Sequence, residues 1–326
     1  MTNGRSFLRA AAVLLSGPLL LTLIKPSHPQ GKDDRPLKLE SDLVVVDATI
    51  TDKNGNYVRN LKAEDFALFE DGQRRSLDFF EANEQSQLSR PLAAVFALDL
   101  SGSIRPEELE LQRQAAESFI KLVRPDSVFA VITFNYEVKV LQGFTSDPVK
   151  VGQAFQKIRE AGGSTRLFAA IDRAVTMLKS GPRYRDGRRL KRVVLAISDG
   201  YATESIDQRR LVERANEAEI TVYSITLPSY GLAQVGGGRM VTLLDASLLV
   251  PATGGKDFSA DSSDFTPAVR AIAEEIRAGY TLAYYPPDNI RRDGLKHQIR
   301  VEVTKPGAII RLNRDNYTSP KDPRKR

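Results

Sequence analysis

Residues 91–104 read PLAAVFALDLSGSI, and this stretch decides how the rest of the chain folds. Residues 92–98 are apolar without alternation, which is typical of a strand buried on both faces of a sheet. Asp99, Ser101 and Ser103 follow at alternate positions, just where that strand would leave the core. In open parallel sheets, ligands bind at the carboxyl ends of the strands, so these side chains stand where a site is expected. Their oxygens suit a hard divalent cation.

The region from 92 to 285 alternates between strand-like and helix-like patterns. Strand-like runs occupy 92–98, 127–134, 137–144, 192–198, 220–227 and 280–285. Amphipathic spacing predicts helices at about 107–123, 147–160, 167–180, 207–219, 241–250 and 264–278. This alternation predicts an α/β fold with a doubly wound, mostly parallel sheet flanked by helices.

Both ends of this region carry β-type sequence. Residues 38–81 contain β-prone runs separated by Asn-Gly and Asp-Gly turns, which signal hairpins, and 295–313 return to a β pattern. These flanks are too small for separate large cores, so we expect them to pair with each other as one small β module. The predicted organisation is an N-terminal β segment at 38–88, a central domain at 89–285, a C-terminal β extension at 286–318 and a disordered basic tail at 319–326.

The first 30 residues have the pattern of a targeting segment. Arg5 and Arg9 precede an almost wholly apolar run at 10–24, a length that suits a signal-peptide core and falls short of the roughly 20 residues of a membrane span. We therefore expect residues 1–30 to be a signal peptide or an uncleaved N-terminal anchor, followed by a linker at 31–37. The protein is expected to be exported, either secreted or periplasmic, and any membrane anchoring is expected through this segment only.

The formal net charge of +6 is concentrated at the two ends of the chain. Residues 1–30 and residues 319–326 each contribute +3, so the remainder is about neutral and no nucleic-acid partner is expected. The basic stretch at 181–192 precedes a buried strand and is interpreted as a solvated connection. The chain has no cysteine, which excludes disulfides, thiol nucleophiles and cysteine-based zinc sites.

Two further stretches place polar groups beside the first one. Residues 162–165 read GGST and precede the predicted helix at 167–180, which puts the Thr165 hydroxyl on a Gly-rich loop at a helix start. Residues 193–200 read VVLAISDG, a second buried strand that ends in a carboxylate, Asp199. Each feature alone is more often an ordinary cap or turn. If the two strands are neighbours, all these groups converge at one edge of the sheet.

These motifs together resemble the metal-ion-dependent adhesion site of von Willebrand factor type A domains. The matching positions are Asp99, Ser101, Ser103, Thr165 and Asp199. The resemblance covers roughly 90–285, and it implies that the three hydroxyls coordinate Mg²⁺ or Mn²⁺ while the two carboxylates act largely through water or hydrogen bonds. It also implies a protein partner whose carboxylate completes the octahedron.

The flanks add a second resemblance. Residues 61–72 read LKAEDFALFEDG and residues 284–287 read YYPP, and both are similar to segments of exported bacterial proteins related to von Willebrand factor type A domains. This resemblance implies the order of the parts, a β segment before the central domain and a β tail after it.

Three functions are compatible with these observations. The first is a metal-dependent adhesion or assembly module without enzymatic activity. The second is a phosphotransferase or hydrolase that uses Asp99, but the former needs a carboxylate two residues later, where Ser101 stands. A Ser–His hydrolase needs a well-placed histidine, and the chain has only His28, near the end of the N-terminal segment, and His297 in the β tail. The third is a structural scaffold of an envelope complex.

Overall fold

A computed structural model of the chain describes residues 42–82, 90–158, 161–199, 201–204, 206–227, 242–243, 249–260 and 263–322. The predicted signal peptide or anchor at 1–30 and the linker at 31–37 lie outside these residues. No helix of the described ranges combines the length and the apolar character needed to cross a membrane.

The chain alternates strands and helices through its centre and carries strands at both ends. The strands are β1 (Val44–Thr51), β2 (Phe66–Glu70), β3 (Gln73–Arg75), β4 (Phe79–Ala82), β5 (Leu92–Asp99), β6 (Val128–Phe134), β7 (Val138–Thr145), β8 (Tyr184–Arg185), β9 (Arg188–Arg189), β10 (Lys191–Ser198), β11 (Tyr201–Ala202), β12 (Ile220–Thr226), β13 (Thr242–Leu243), β14 (Asp257–Ser259), β15 (Tyr280–Tyr284), β16 (Lys296–Val303), β17 (Ile309–Leu312) and β18 (Asn316–Thr318). The helices are α1 (Pro106–Leu122), α2 (Pro148–Gln156), α3 (Leu167–Ser180), α4 (Gln208–Glu217), α5 (Leu249–Ala252) and α6 (Thr266–Arg277).

The central sheet has six strands in the order β14-β12-β10-β5-β6-β7. Its pairs are parallel except for β7, which runs antiparallel to β6 at one edge. Alternate residues of β5 pack into two separate cores, one with α1, α2 and α6 and the other with α3, α4 and α5. The predicted doubly wound, mostly parallel α/β fold is therefore confirmed.

The strand order reverses beside β5. The chain leaves β5 through α1 to β6 on one side, and later returns to β10 on the other side. Residues Leu98 and Ile197 are partners in the parallel register, so β5 and β10 end at the same level. In doubly wound sheets, a reversal of this kind opens a crevice at the carboxyl ends of the strands. The candidate site lies at this edge.

The two flanks form one β sandwich. Two four-stranded sheets, in the orders β17-β1-β15-β4 and β18-β16-β2-β3, share a third hydrophobic core. The N-terminal flank pairs with the C-terminal flank in both sheets, through β1 with β17 and β2 with β16. The expected pairing between the flanks is thus present.

The structure corrects the position of the strand predicted at 280–285. It forms as β15, but it pairs with β1 and β4 in the sandwich and not with the central sheet. Tyr280, Leu282 and Tyr284 point into the sandwich core, and the Tyr280 hydroxyl donates to the Val58 carbonyl at 2.8 Å. A buried apolar run has the same pattern in either sheet, so the sequence does not reveal which sheet it joins.

The helix predicted at 241–250 is also wrong where it is described. Thr242–Leu243 form β13, which pairs with β11, and helical structure starts only at Leu249. A tertiary strand contact overrides the local pattern here. The residues between these two elements lie outside the described ranges.

The basic tail predicted to be disordered at 319–326 is in place as far as Asp322. Ser319 is buried, and its hydroxyl donates to Asp293 at 2.7 Å. The Asp322 amide donates to the Arg292 carbonyl at 3.1 Å, and the backbone of Lys321 pairs with that of Asp293 in an isolated antiparallel bridge. Composition alone does not reveal such hydrogen bonds, and the last four residues lie outside the described ranges.

The basic stretch at 181–192 is not fully solvated. It forms the hairpin β8–β9 and the start of β10, and the side chains of Lys191 and Arg192 are buried. Both are paired with acids: Lys191 lies 3.4 Å from Asp47, and Arg192 lies 3.6 Å from Glu219. Buried cations of this kind are found where partners offset their desolvation.

Candidate functional site

Asp99 ends β5 and is held in one orientation. Its side chain is fully buried; Oδ1 accepts from the Ser101 amide at 2.7 Å, and Oδ2 accepts from the Ser198 hydroxyl at 2.6 Å. The Asp99 carbonyl accepts from Gln112 Nε2 of α1 at 3.1 Å. The strand end is therefore tied to β10 on one side and to α1 on the other.

Ser101 and Ser103 place two hydroxyls at the mouth of the crevice. Their Oγ atoms lie 3.0 Å apart, and Ser101 is 1% exposed while Ser103 is exposed. The pair thus links the buried carboxylate of Asp99 to solvent.

Thr165 is brought to the same edge by the backbone of its loop. The Gly162 amide donates to the Leu100 carbonyl at 2.7 Å, and the Gly102 amide donates to the Gly163 carbonyl at 3.0 Å. These two bonds hold the loop at 162–165 against the loop that follows β5. The loop that carries the buried Thr165 therefore lies beside the loop that carries Ser101 and Ser103.

A third loop closes around Thr165. The Thr165 amide donates to Thr203 Oγ1 at 3.0 Å, and the Thr203 amide donates back to the Thr165 carbonyl at 2.9 Å. Glu204 then accepts from the Ala169 amide at 2.7 Å, in the first turn of α3. A carboxylate at a helix N-terminus is favourable because of the free amides there.

Gly163 is required by both conformation and space. Its φ of +89° lies in the left-handed region that side chains rarely adopt. A Cβ at this position would lie 2.8 Å from Cδ1 of Tyr136, a residue that is 62% exposed beside the site. The glycine lets the loop and this aromatic ring approach each other.

Asp199 follows β10 and is buried. Ser198, the residue before it, donates to Asp99, so the ends of the two neighbouring strands are joined directly. Asp199 also acts on Asp99 through its charge. The two acids therefore follow the ends of neighbouring strands, near enough for their charges to interact.

The electrostatics of this edge favour a cation. Burial raises the pKa of Asp99 to about 7; hydrogen bonds from Ser198 and Ser101 lower it, and the charge of Asp199 raises it. Desolvation and a nearby like charge both disfavour a carboxylate anion. The positive charge of a divalent cation bound at this edge would offset both effects.

The donor set fits magnesium or manganese. It consists of three hydroxyls and two carboxylates, and hard divalent cations take oxygen ligands. Across the described ranges, no group of three or more His, Asp or Glu side chains is placed to hold a metal ion. Binding at this edge would thus depend on the hydroxyls of Ser101, Ser103 and Thr165.

Three residues that support the site were not predicted from the sequence. Ser198 and Gln112 fix Asp99, and Thr203 fixes Thr165. Ser198 directly precedes Asp199, which is the one local signal available. The other two act across loops and helices, and no spacing indicates them.

Comparison with known proteins gives one family match, which lies within the central domain. Residues 94–238 match the model of the von Willebrand factor type A domain, and no curated protein matches the chain. This match runs from β5 through β12 and includes all five predicted site residues.

Solved structures are similar at low identity. BatB, a conserved hypothetical protein from Bacteroides thetaiotaomicron, is 19% identical with a TM-score of 0.45, over 57% of this chain and 97% of that chain. An aerotolerance-related membrane protein from Bacteroides fragilis is 19% identical with a TM-score of 0.44, over 57% and 98%. A von Willebrand factor type A protein from Catenulispora acidiphila is 11% identical with a TM-score of 0.48, over 79% and 74%. Within the chain, residues 94–238 are thus the part that matches a von Willebrand factor type A domain.

Proposed function

We propose that the protein is an exported, metal-dependent protein-binding module for adhesion or assembly. The ion would be Mg²⁺ or Mn²⁺, and it would capture an acidic residue of a partner protein. The residues that would hold it are Asp99, Ser101, Ser103, Thr165 and Asp199. The observation that supports this proposal is that backbone hydrogen bonds join the loop of Thr165 to the loop of Ser101 and Ser103 at the carboxyl end of β5, with Ser103 open to solvent.

The side chains at this edge are suited to a bound cation that captures a carboxylate of a partner protein. Neutral hydroxyls do little to neutralise a bound cation, which then supplies an electrophilic centre that attracts an external carboxylate. Ser198 and the Ser101 amide orient Asp99, and Gly163 lets the Thr165 loop approach the Tyr136 ring. Domains of this family typically serve as protein-interaction modules.

We propose no catalytic role. Ser101 stands where an aspartyl phosphotransferase would have its second carboxylate, and His297 is engaged by Asp71 and Asp293 in the β sandwich. His28 lies outside the described residues. Turnover of a phosphate or carboxylate ester that is lost in Asp99→Ala would contradict this part of the proposal.

Export is proposed from the sequence of residues 1–30. Expression in a bacterial host followed by fractionation and intact-mass measurement tests it. Loss of the segment indicates a cleaved signal peptide, and an intact segment in the membrane fraction indicates an anchor. Accumulation of the intact chain inside the cytoplasm would contradict export.

Isothermal titration with Mg²⁺ and Mn²⁺ tests the metal site directly. Saturable binding to the wild type that Asp99→Ala abolishes is the expected result. Asp147→Ala is the matched control, because Asp147 caps α2 after β7, at the opposite edge of the sheet. Equal loss in both variants would contradict the assignment.

A second titration covers the case in which the ligand completes the site. If titration with the metal alone shows no heat of binding, it is repeated in acetate buffer, which supplies a free carboxylate. Binding that appears with acetate supports capture of a carboxylate, and no binding in either buffer contradicts the metal proposal. Partners are then sought by comparing captures made with Mg²⁺ and with chelator.

A further inference from the structure

A second cluster of charges lies at the amino edge of the central sheet, opposite the candidate metal site. Glu219 immediately precedes β12, and its carboxylate pairs with the guanidiniums of Arg189, Arg192 at 3.6 Å and Arg314 at 3.5 Å. Arg189 belongs to β9, Arg192 belongs to β10, and Arg314 precedes β18. One carboxylate thus joins the central domain to the C-terminal flank.

The backbone at Glu219 is strained. Its φ of +53° lies in the left-handed region, where a chain that leaves a helix usually has glycine. Glycine would adopt this conformation freely, but it would leave three guanidiniums without their shared carboxylate. The carboxylate is therefore kept at this position although the left-handed backbone conformation is unfavourable for glutamate.

Arg192 shows that the cluster is short of negative charge. The residue is 4% exposed, and within the described part of the chain its Nη1 atom has no hydrogen-bond partner. Burial lowers the pKa of Arg192 to about 10; Glu219 opposes this, and the charges of Arg183 and Arg189 add to it. A buried guanidinium among other guanidiniums is unfavourable unless further anions balance it.

The nearby carboxylate of Asp47 does not supply that balance. It lies 3.1 Å from Arg90 and 3.4 Å from Lys191, two cations of its own. Glu219 therefore faces three guanidiniums, those of Arg189, Arg192 and Arg314. The charge of Arg183 also acts on Arg192.

A cavity of about 450 Å³ opens beside this cluster, and Arg183, Arg189, Arg314 and Glu219 are in its lining. Two other acids of the lining already have cations. Asp42 accepts from Arg292 at 2.9 Å, and Glu217 lies 4.0 Å from Lys179. The arginine side of the cavity keeps its excess of positive charge.

We propose that this cavity binds a small oxyanion with at least two negative charges, of the phosphate class. Guanidinium groups present pairs of N–H donors whose geometry matches phosphate oxygens. A dianion would offset the charge that Glu219 alone leaves unbalanced. The volume admits free phosphate and a small phosphate monoester, which share this chemistry.

Titration of the full chain with inorganic phosphate and with glycerol phosphate tests the proposal. The experiments use chelator and constant ionic strength, so that the candidate metal site plays no part. Saturable binding is expected, and the tighter of the two probes indicates the natural source. Arg183 is exposed, so Arg183→Ala should not disturb the fold, and it is expected to weaken phosphate binding about tenfold.

Two further variants make the test specific to the cavity. Glu217→Gln removes a half-exposed acid from the lining and frees Lys179, so it is expected to tighten binding several-fold. Arg185→Ala is the matched control, because Arg185 lies on the same hairpin as Arg183 and outside the lining. Its affinity is expected to equal that of the wild type.

The variants distinguish a defined phosphate site from general electrostatic attraction. Absence of saturable binding in the wild type would overturn the proposal. Equal weakening in Arg183→Ala and Arg185→Ala would also overturn it, because both arginines would then act only through their charge. Unchanged phosphate binding in Asp99→Ala is expected, so failure of the metal site and failure of this one are distinguishable.

Discussion

The two edges of the central sheet both bury carboxylates, but they surround them with opposite partners. At the carboxyl edge, Asp99 lies among hydroxyls and near Asp199, and burial raises its pKa to about 7. At the amino edge, burial alone would raise the pKa of Asp47, but the charges of Lys191 and Arg90 hold it well below its usual range. Cations hold the Asp47 carboxylate, whereas hydroxyl and amide donors hold that of Asp99 among the residues that the structure describes.

This difference separates charges that have partners within the fold from those of the proposed metal site. Buried ions that have partners contribute little net stability, but removing one partner strongly destabilises a fold because the other is left buried alone. A buried carboxylate beside a second carboxylate carries that disadvantage in the native state, which is typical of sites that take a ligand. Mutations at the two edges should therefore have opposite effects on stability.

The largest expected effect is at the amino edge. Asp47→Ala leaves Arg90 and Lys191 buried without their carboxylate, and it removes the acceptor of the Thr281 hydroxyl. We expect the free energy of unfolding to fall by about 3–5 kcal/mol. Urea denaturation followed by circular dichroism measures this change.

Asp288→Ala is the control for that experiment. Asp288 pairs with Arg291 at 3.0 Å, but its side chain is 92% exposed, so its loss should leave the urea midpoint nearly unchanged. If both variants changed stability equally, the buried pairs at the amino edge would have no special role.

The second largest effect is expected at the carboxyl edge, where it tests the proposed metal site. Because Mg²⁺ is proposed to bind only the folded state, a concentration of 100 times its Kd should raise the free energy of unfolding by about 2.7 kcal/mol. Thr165→Val removes a proposed hydroxyl ligand and should abolish this gain, while Thr165→Ser keeps a hydroxyl and should retain it. An equal gain in the valine variant would exclude Thr165 as a ligand.

The third expected effect is a gain in the free energy of unfolding, whereas mutations of buried residues usually lower it. In chelator, Asp99→Asn removes a buried charge that faces Asp199, and its remaining oxygen still accepts from the Ser101 amide. We expect the metal-free protein to gain on the order of 1 kcal/mol. Thermal unfolding measures this gain, and Asp147→Asn, which keeps a helix cap, is the neutral control. A clear loss of stability would contradict the contrast between the edges.

The sequence predicts the carboxyl edge better than the amino edge for a physical reason. Asp99, Thr165 and Asp199 each follow a local pattern, a buried strand or a Gly-rich loop before a helix, and parallel strands bring such ends together. Asp47 and Glu219 pair with cations distant in the chain, and no local pattern marks a charge that has a partner.

The same reason explains why parts of the fold were predicted wrongly from the sequence. Strand β15 has the apolar pattern of any buried strand, and only its partners β1 and β4 place it in the sandwich. The tail through Asp322 is polar in composition, and it is fixed by hydrogen bonds to Arg292 and Asp293. Local periodicity therefore predicts elements, while long-range polar contacts decide where they attach.

The smallest expected effect concerns a third arrangement, in which a base lies between two acids. In the β sandwich, His297 Nδ1 lies 2.7 Å from Asp71 Oδ2, and Nε2 lies 3.1 Å from Asp293 Oδ1. Burial opposes the charged imidazole, but the hydrogen bonds with Asp71 and Asp293 outweigh it and raise the pKa of His297. The protonated form is thus favoured by folding.

A raised histidine pKa fixes the sign of the pH dependence. The stabilisation is complete below the unfolded pKa of about 6.5, and it is lost as the pH rises through the higher folded pKa. His297→Gln should therefore destabilise the protein more at pH 6 than at pH 9, by a fraction of a kcal/mol. Urea denaturation at both pH values measures this difference, and Asp293→Asn should reduce it. A penalty that is constant with pH would show that His297 acts by packing against Tyr317, a ring contact at 5.2 Å that needs no charge.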